Sequence, residues 1–205
     1  MTDFTESAND GRVRGQGTDY PTARSTSNQF DSTSTTMRLG QSFIDPTYTV
    51  LRAFLKFDTS AIGAGSTVTQ VNLKLVCVTD QSSTDFDVQI VKQDWSAQDP
   101  LSDANREAAY DNCLAGTADA AIWRNTSGMS INTQYASGNL DVSWINKVGN
   151  TYYSLRSSRD LGNNSPSALE YIDIASQDHA TVAYRPVLTV TFTVPGSFIP
   201  QIMVF

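Results

Sequence analysis

The chain is poor in the residues on which most active-site chemistry depends. It holds one histidine, His179, and two cysteines, Cys77 and Cys113, in 205 residues. A Ser-His-Asp triad would therefore have a single possible base. His179 lies in Ser176-Gln177-Asp178-His179-Ala180, which reads as a polar, solvated loop. No G-x-S-x-G nucleophile elbow occurs. Two thiols without a neighbouring histidine do not make a zinc site. Cys77 falls on the apolar face of a strand pattern and Cys113 follows a short helical one. They read as buried free thiols packing as small hydrophobes, with a disulfide as the alternative.

Charge is scarce too. Charged residues make up 17%, and 14 basic residues face 21 acidic ones for a net charge of −7. Nucleic-acid binding needs a basic footprint against phosphate, so it is excluded, whereas neutral glycans need no matching charge. No run approaches the ~20 apolar residues of a membrane helix. Met1-Thr2-Asp3-Phe4-Thr5-Glu6-Ser7 has neither the basic region nor the apolar core of a signal peptide, so synthesis in a cytoplasm is expected. Enzyme activity is not expected. The acids Asp85, Asp87, Asp94 and Asp99 read as solvated strand-face and loop residues rather than a glycosidase pair. No metal site is assigned. Calcium held by loop carboxylates and carbonyls is the one metal compatible with the composition, and no D-x-D-x-D-G loop supports it.

Strand patterns dominate what is present. Leu51, Ala53, Leu55 and Phe57 alternate with Arg52 and Lys56; after a Gly-containing turn, Val71, Leu73, Leu75 and Cys77 alternate with Asn72, Lys74 and Val76. Period-two alternation predicts strands with one buried and one wet face. Further strands are expected at 36–43, 48–57, 67–79, 84–93, 151–157, 168–175 and 185–194, with a strand passing into a helical turn over 140–148. Between Trp95 and Gly128 the strand signal stops, and Ser102 to Tyr110 predicts a short helix inside a long crossover. About eight to ten short strands and one minor helix describe a single all-β jelly-roll sandwich.

The sandwich is expected over residues 36–194. Residues 1–35 are polar, with few apolar anchors, and read as an extended arm with a first strand near Gly11–Arg14. The closing stretch 195–205 is apolar, and Phe198, Ile199, Ile202, Met203, Val204 and Phe205 either fold back or dock on a neighbouring subunit, for instance by strand addition. Trp95 and Trp123 bracket the crossover and are candidate platforms for a glycan, against the alternative that they pack beneath it.

Two segments carry a resemblance. Arg52 with Phe54-Leu55-Lys56-Phe57-Asp58-Thr59-Ser60-Ala61-Ile62, then Val68 and Val71-Asn72-Leu73-Lys74-Leu75, resembles the opening motif of DNRLRE-type domains. Tyr184-Arg185-Pro186-Val187-Leu188-Thr189-Val190-Thr191-Phe192 is similar to their closing strand. Ala61-Ile62-Gly63 departs from the usual Ile-Pro spacing. The resemblance implies a jelly roll related to carbohydrate-binding modules, without catalysis, of the kind found in secreted, cell-surface and phage virion proteins. Arg52 and Arg185 are expected to bridge strand ends to acids such as Asp58. The functional expectation is a phage virion structural subunit, a capsid-decoration or tail-associated protein in homo-oligomeric copies, docking through its terminal arms on other virion proteins. A carbohydrate-binding or adhesion module for a host or extracellular glycan is the alternative.

Overall fold

The computed structural model describes residues 1–8 and 10–196. In chain order the strands are β1 (Thr2–Thr5), β2 (Gly11–Gly17), β3 (Ser27–Asp31), β4 (Thr36–Ile44), β5 (Thr47–Asp58), β6 (Thr67–Ser82), β7 (Asp87–Lys92), β8 (Thr117–Asn125), β9 (Thr133–Ala136), β10 (Asn150–Ser157), β11 (Leu169–Ala175) and β12 (Val187–Thr193). Three helices interrupt them: α1 (Tyr20–Ser25), α2 (Arg106–Ala115) and α3 (Ser158–Leu161). All named pairings are antiparallel, in the order β1-β12-β6-β11-β4-β5-β10-β7-β8, with β2 joining β3 to β5 and β9 on β6. The result is an all-β, jelly-roll-like sandwich with more strands than the alternation predicts.

The curl turns on β5. On one edge it pairs with β2 from Tyr48 to Phe54. On the other, its first half pairs with β4 and its second with β10. Between the two layers lies the main core, to which β5 contributes Ala53, Leu55 and Phe57 and β6 contributes Val71, Leu73, Leu75 and Cys77. Alternation identified these inward faces.

The opposite face of β5 is not wet. Val50 and Phe54 belong to a second core with Trp95, Leu101, Tyr110, Cys113 and Tyr152, roofed by α1, α2 and the crossover. Arg52 is fully buried and Lys56 nearly so. Arg52 does not reach Asp58: it pairs with Asp160 on α3 and lies over the Tyr110 ring at 3.8 Å. Its Nη1 donates to the Tyr110 carbonyl, while Arg156 donates to those of Cys113 and Leu114. Arg156 thus serves two of the last carbonyls of α2, which have no amide partner within the helix, and Arg52 bonds a carbonyl about one turn before them. Gly15 permits this roof, since a Cβ there would overlap the Ala23 carbonyl and the Tyr110 hydroxyl.

Residues 1–35 are woven into the sheet rather than extended from it. β1 pairs with β12, and Phe4 enters the main core. The apolar anchors Phe4, Val13 and Tyr20 are few, but each is buried. Both cysteines are free and buried, with Cys113 inside α2 rather than after it.

Candidate functional site

The β2–β3 hairpin and the outer ends of β4, β5 and β11 enclose a cleft of about 320 Å³, within the range of small-ligand sites. Alternation builds it. Val13 points into the second core, so Arg12, Arg14 and Gln16 project from the other face of β2. Ile172 and Ile174 of β11 point into the main core, which turns Tyr171 outward beside Arg38 of β4.

Three arginines therefore line one cleft, and two are already paired. Arg12 Nη2 donates to Asp31 Oδ2 at 3.0 Å. Arg38 meets both oxygens of Asp173, at 2.9 and 3.1 Å, and lies 4.1 Å over the Tyr171 ring. These bonds fix the planes of both guanidinium groups. Arg14 is different. It forms no ion pair among the described residues, and its Nε is buried without an acceptor. Burial, and then the charge of Arg12, pull its guanidinium below the ordinary arginine range. Around it Gln16 donates to Thr49 Oγ1 at 3.1 Å, and Gln29 and Phe30 close the hairpin side. The cleft thus presents an under-satisfied planar donor, amide and hydroxyl groups and an aromatic ring, a set that suits an anionic or hydroxyl-rich ligand.

The tryptophan platform is corrected. Trp95 is fully buried; it packs edge-on against Phe54 and Tyr152, and its Nε1 donates to the Tyr153 carbonyl at 3.1 Å. Trp123 is buried in the main core and donates to the Tyr135 carbonyl at 2.9 Å. A stacking platform needs an exposed ring face, and neither residue has one. The two indoles also belong to different cores. Packing beneath the crossover was the sound alternative for Trp95. Trp144 is half-buried, with Nε1 donating to the Tyr152 carbonyl.

His179 stacks on Tyr184 at 5.3 Å and accepts the Thr181 amide, as a loop residue. Arg185 donates to the His179 carbonyl and not to an acid. Phe198, Ile199, Ile202, Met203, Val204 and Phe205 lie outside the described residues. Among the described residues, no group of three or more His, Cys, Asp or Glu is arranged to hold a metal, and no helix is long and apolar enough to cross a membrane.

Sequence reasoning missed the cleft because its residues are spread over five strands, two of them in the segment read as an arm. The available signal was Arg12-Val13-Arg14, two cations flanking an apolar residue in a chain otherwise short of positive charge. Comparison with known proteins finds no matching family model and no matching curated protein.

Proposed function

We propose that the protein is a non-enzymatic binding subunit whose jelly-roll body presents the Arg14 cleft to a glycan, with a carboxylate or sulfate of the ligand taking the donors of Arg14. One observation carries the reading: a partly buried guanidinium without an acid partner, between two others held rigidly by Asp31 and Asp173. The cleft's own carboxylates are engaged, so none is free to neutralise Arg14 or to act as a free base. Tyr171 and Phe30 add apolar surface for sugar faces. The DNRLRE-type resemblance agrees with a glycan-directed role.

The test is a titration of acidic and neutral oligosaccharides against wild type and Arg14→Ala. Acidic ligands should bind more tightly, and the substitution should weaken them about 10- to 100-fold, the cost of leaving one charged hydrogen-bonding partner unpaired. Equal binding by wild type and variant would remove the assignment.

The second reading is a phage virion structural subunit, in capsid or tail, present in repeated copies. It is favoured by the apolar composition of the stretch holding Phe198, Ile199, Ile202, Met203, Val204 and Phe205, since apolar side chains left in water favour a partner. The two readings are compatible in a receptor-binding virion protein, anchored by one end and binding through the cleft.

A further inference from the structure

Away from the cleft, where β1 leaves the sheet, two carboxylates are buried side by side. Glu6 bridges to Phe57 of β5, with its amide donating to the Pro186 carbonyl at 3.1 Å, and Ser7 N donates to Lys56 O at 2.8 Å. These bonds pin the segment and carry the Glu6 side chain inward, where it is only 6% exposed. Asp10, just before β2, is equally enclosed and accepts the Gln177 amide at 3.0 Å. The exposed Asp178 adds its negative field to both.

Among the described residues, no ammonium or guanidinium pairs with either group. Lys56 reaches Asp99 on the other face of β5, and Arg185 faces the His179 carbonyl. Among the described residues no N–H or hydroxyl donates to either buried oxygen of Glu6, whose carboxyl lies within hydrogen-bonding reach of that of Asp10. Elsewhere the fold satisfies its buried acids: Asp160 meets three arginines, Glu170 meets Arg159 and Gln41, and Asp119 accepts the Ala121 and Asp141 amides. Among the described residues Glu6, lying against Asp10, is the buried acid with neither a cation nor an amide at its oxygens, and a buried uncompensated charge is among the costliest features a fold can carry.

A proton or a cation could relieve it. One shared proton makes a single hydrogen bond and leaves the second Glu6 oxygen buried and unsatisfied. A divalent cation engages both oxygens of a carboxylate and neutralises both acids together. We propose that Glu6 and Asp10 hold a divalent cation, calcium by its preference for oxygen ligands, beneath the rim residue Asp178. Two side chains supply up to about four oxygens, so carbonyls and water complete the shell, as calcium accepts in flexible sites. No third acid joins them at ligating range among the described residues, which places affinity at the weak end, about 10⁻⁴ to 10⁻³ M, typical of extracellular modules. The site ties the β1–β2 connection to the loop after β11, and so would lock the first strands onto the sandwich.

Thermal unfolding of the whole chain at neutral pH, in EDTA and then in rising calcium, tests this. Tm should climb with the logarithm of calcium once it exceeds Kd, by about 5–10 °C at roughly a hundredfold excess. Terbium, seated in the same site, should show aromatic-sensitised emission that calcium displaces. Glu6→Gln and Asp10→Asn should each abolish the calcium-dependent rise and the emission. The proposal fails if wild-type Tm is the same in EDTA and in calcium. It also fails if the response survives Glu6→Gln with Asp10→Asn, or if Glu6→Gln stabilises a calcium-indifferent wild type, the signature of a shared proton. Should Glu6→Gln not fold, Asp10→Asn and the wild-type titration still decide.

Discussion

Arg52 grips Asp160 through two parallel hydrogen bonds, Nε to Oδ2 at 2.9 Å and Nη2 to Oδ1 at 3.1 Å, with neither side chain more than 1% exposed. Arg24 donates to Oδ1 of the same carboxylate at 3.1 Å, and Arg156 Nε lies 3.2 Å from Oδ2. The cluster joins α1, α3, β5 and β10. Removing the acid leaves two buried guanidinium groups without a counter-charge. Asp160→Asn should therefore destabilise by about 3–5 kcal/mol in urea unfolding, while replacing an exposed acid such as Asp103 should cost under about 0.5 kcal/mol.

The same carboxylate sets an acid limit. Burial alone would raise its pKa, but the charges and hydrogen bonds of Arg52, Arg156 and Arg24 outweigh burial and hold it below the ordinary value. A depressed folded pKa contributes stability that is complete above the unfolded value of about 3.9 and is lost as pH falls through the folded one. Asp10 acts oppositely. Burial lifts it to about 6, so in EDTA its contribution is fullest below pH about 3.9 and disappears as pH rises through about 6. Stability measured in EDTA against pH should show both limbs, and calcium should flatten only the upper one.

Gly15 has an ordinary backbone, so its constraint is space alone. An added Cβ would meet the Ala23 carbonyl and the Tyr110 hydroxyl. Gly15→Ala should cost about 1–3 kcal/mol by lifting α1 and α2 from the sheet. Tyr fluorescence and near-UV circular dichroism should report the loosened roof before global unfolding.

Trp95 and Arg14 should separate stability from binding. Trp95→Ala opens a cavity in the second core and should cost about 3–5 kcal/mol, with affinity per folded molecule unchanged. Arg14→Ala should do the reverse. A Trp95 variant that folds normally and loses glycan affinity would reinstate the indole as a ligand residue.

Deleting 197–205 bears on the virion reading. Among the described residues the last strand ends at Thr193, and on this reading the shortened chain should keep its unfolding midpoint yet no longer assemble with its partner particle, as judged by co-sedimentation. Normal assembly, or outright unfolding, would end that reading.

The main core was legible because β5, β6, β7, β11 and β12 alternate cleanly. The second core was not. Arg52 and Lys56 read as solvent-facing because charge marks a wet face, and only α1, α2, α3 and the crossover, distant in sequence, show that they are covered. β8 and β9 escaped notice because Thr117 to Asn125 opens on small and polar residues, with three alanines and Asp119, and Thr133 to Ala136 holds one large apolar residue, Tyr135. The cleft and the Glu6–Asp10 pair depend on strands far apart in the chain meeting in space, which no local pattern encodes.

β1 is stitched to β12 with Thr2 opposite Val190 and Thr5 opposite Val187. During synthesis the first strand therefore waits for almost the last one to emerge. Until then the edge of β6 that receives β12 is open, and Phe4 has no completed core to enter. Closing so long a loop is slow. The interval before the sheet closes is thus when the nascent chain is most exposed to chaperones and to strand exchange with a neighbouring copy.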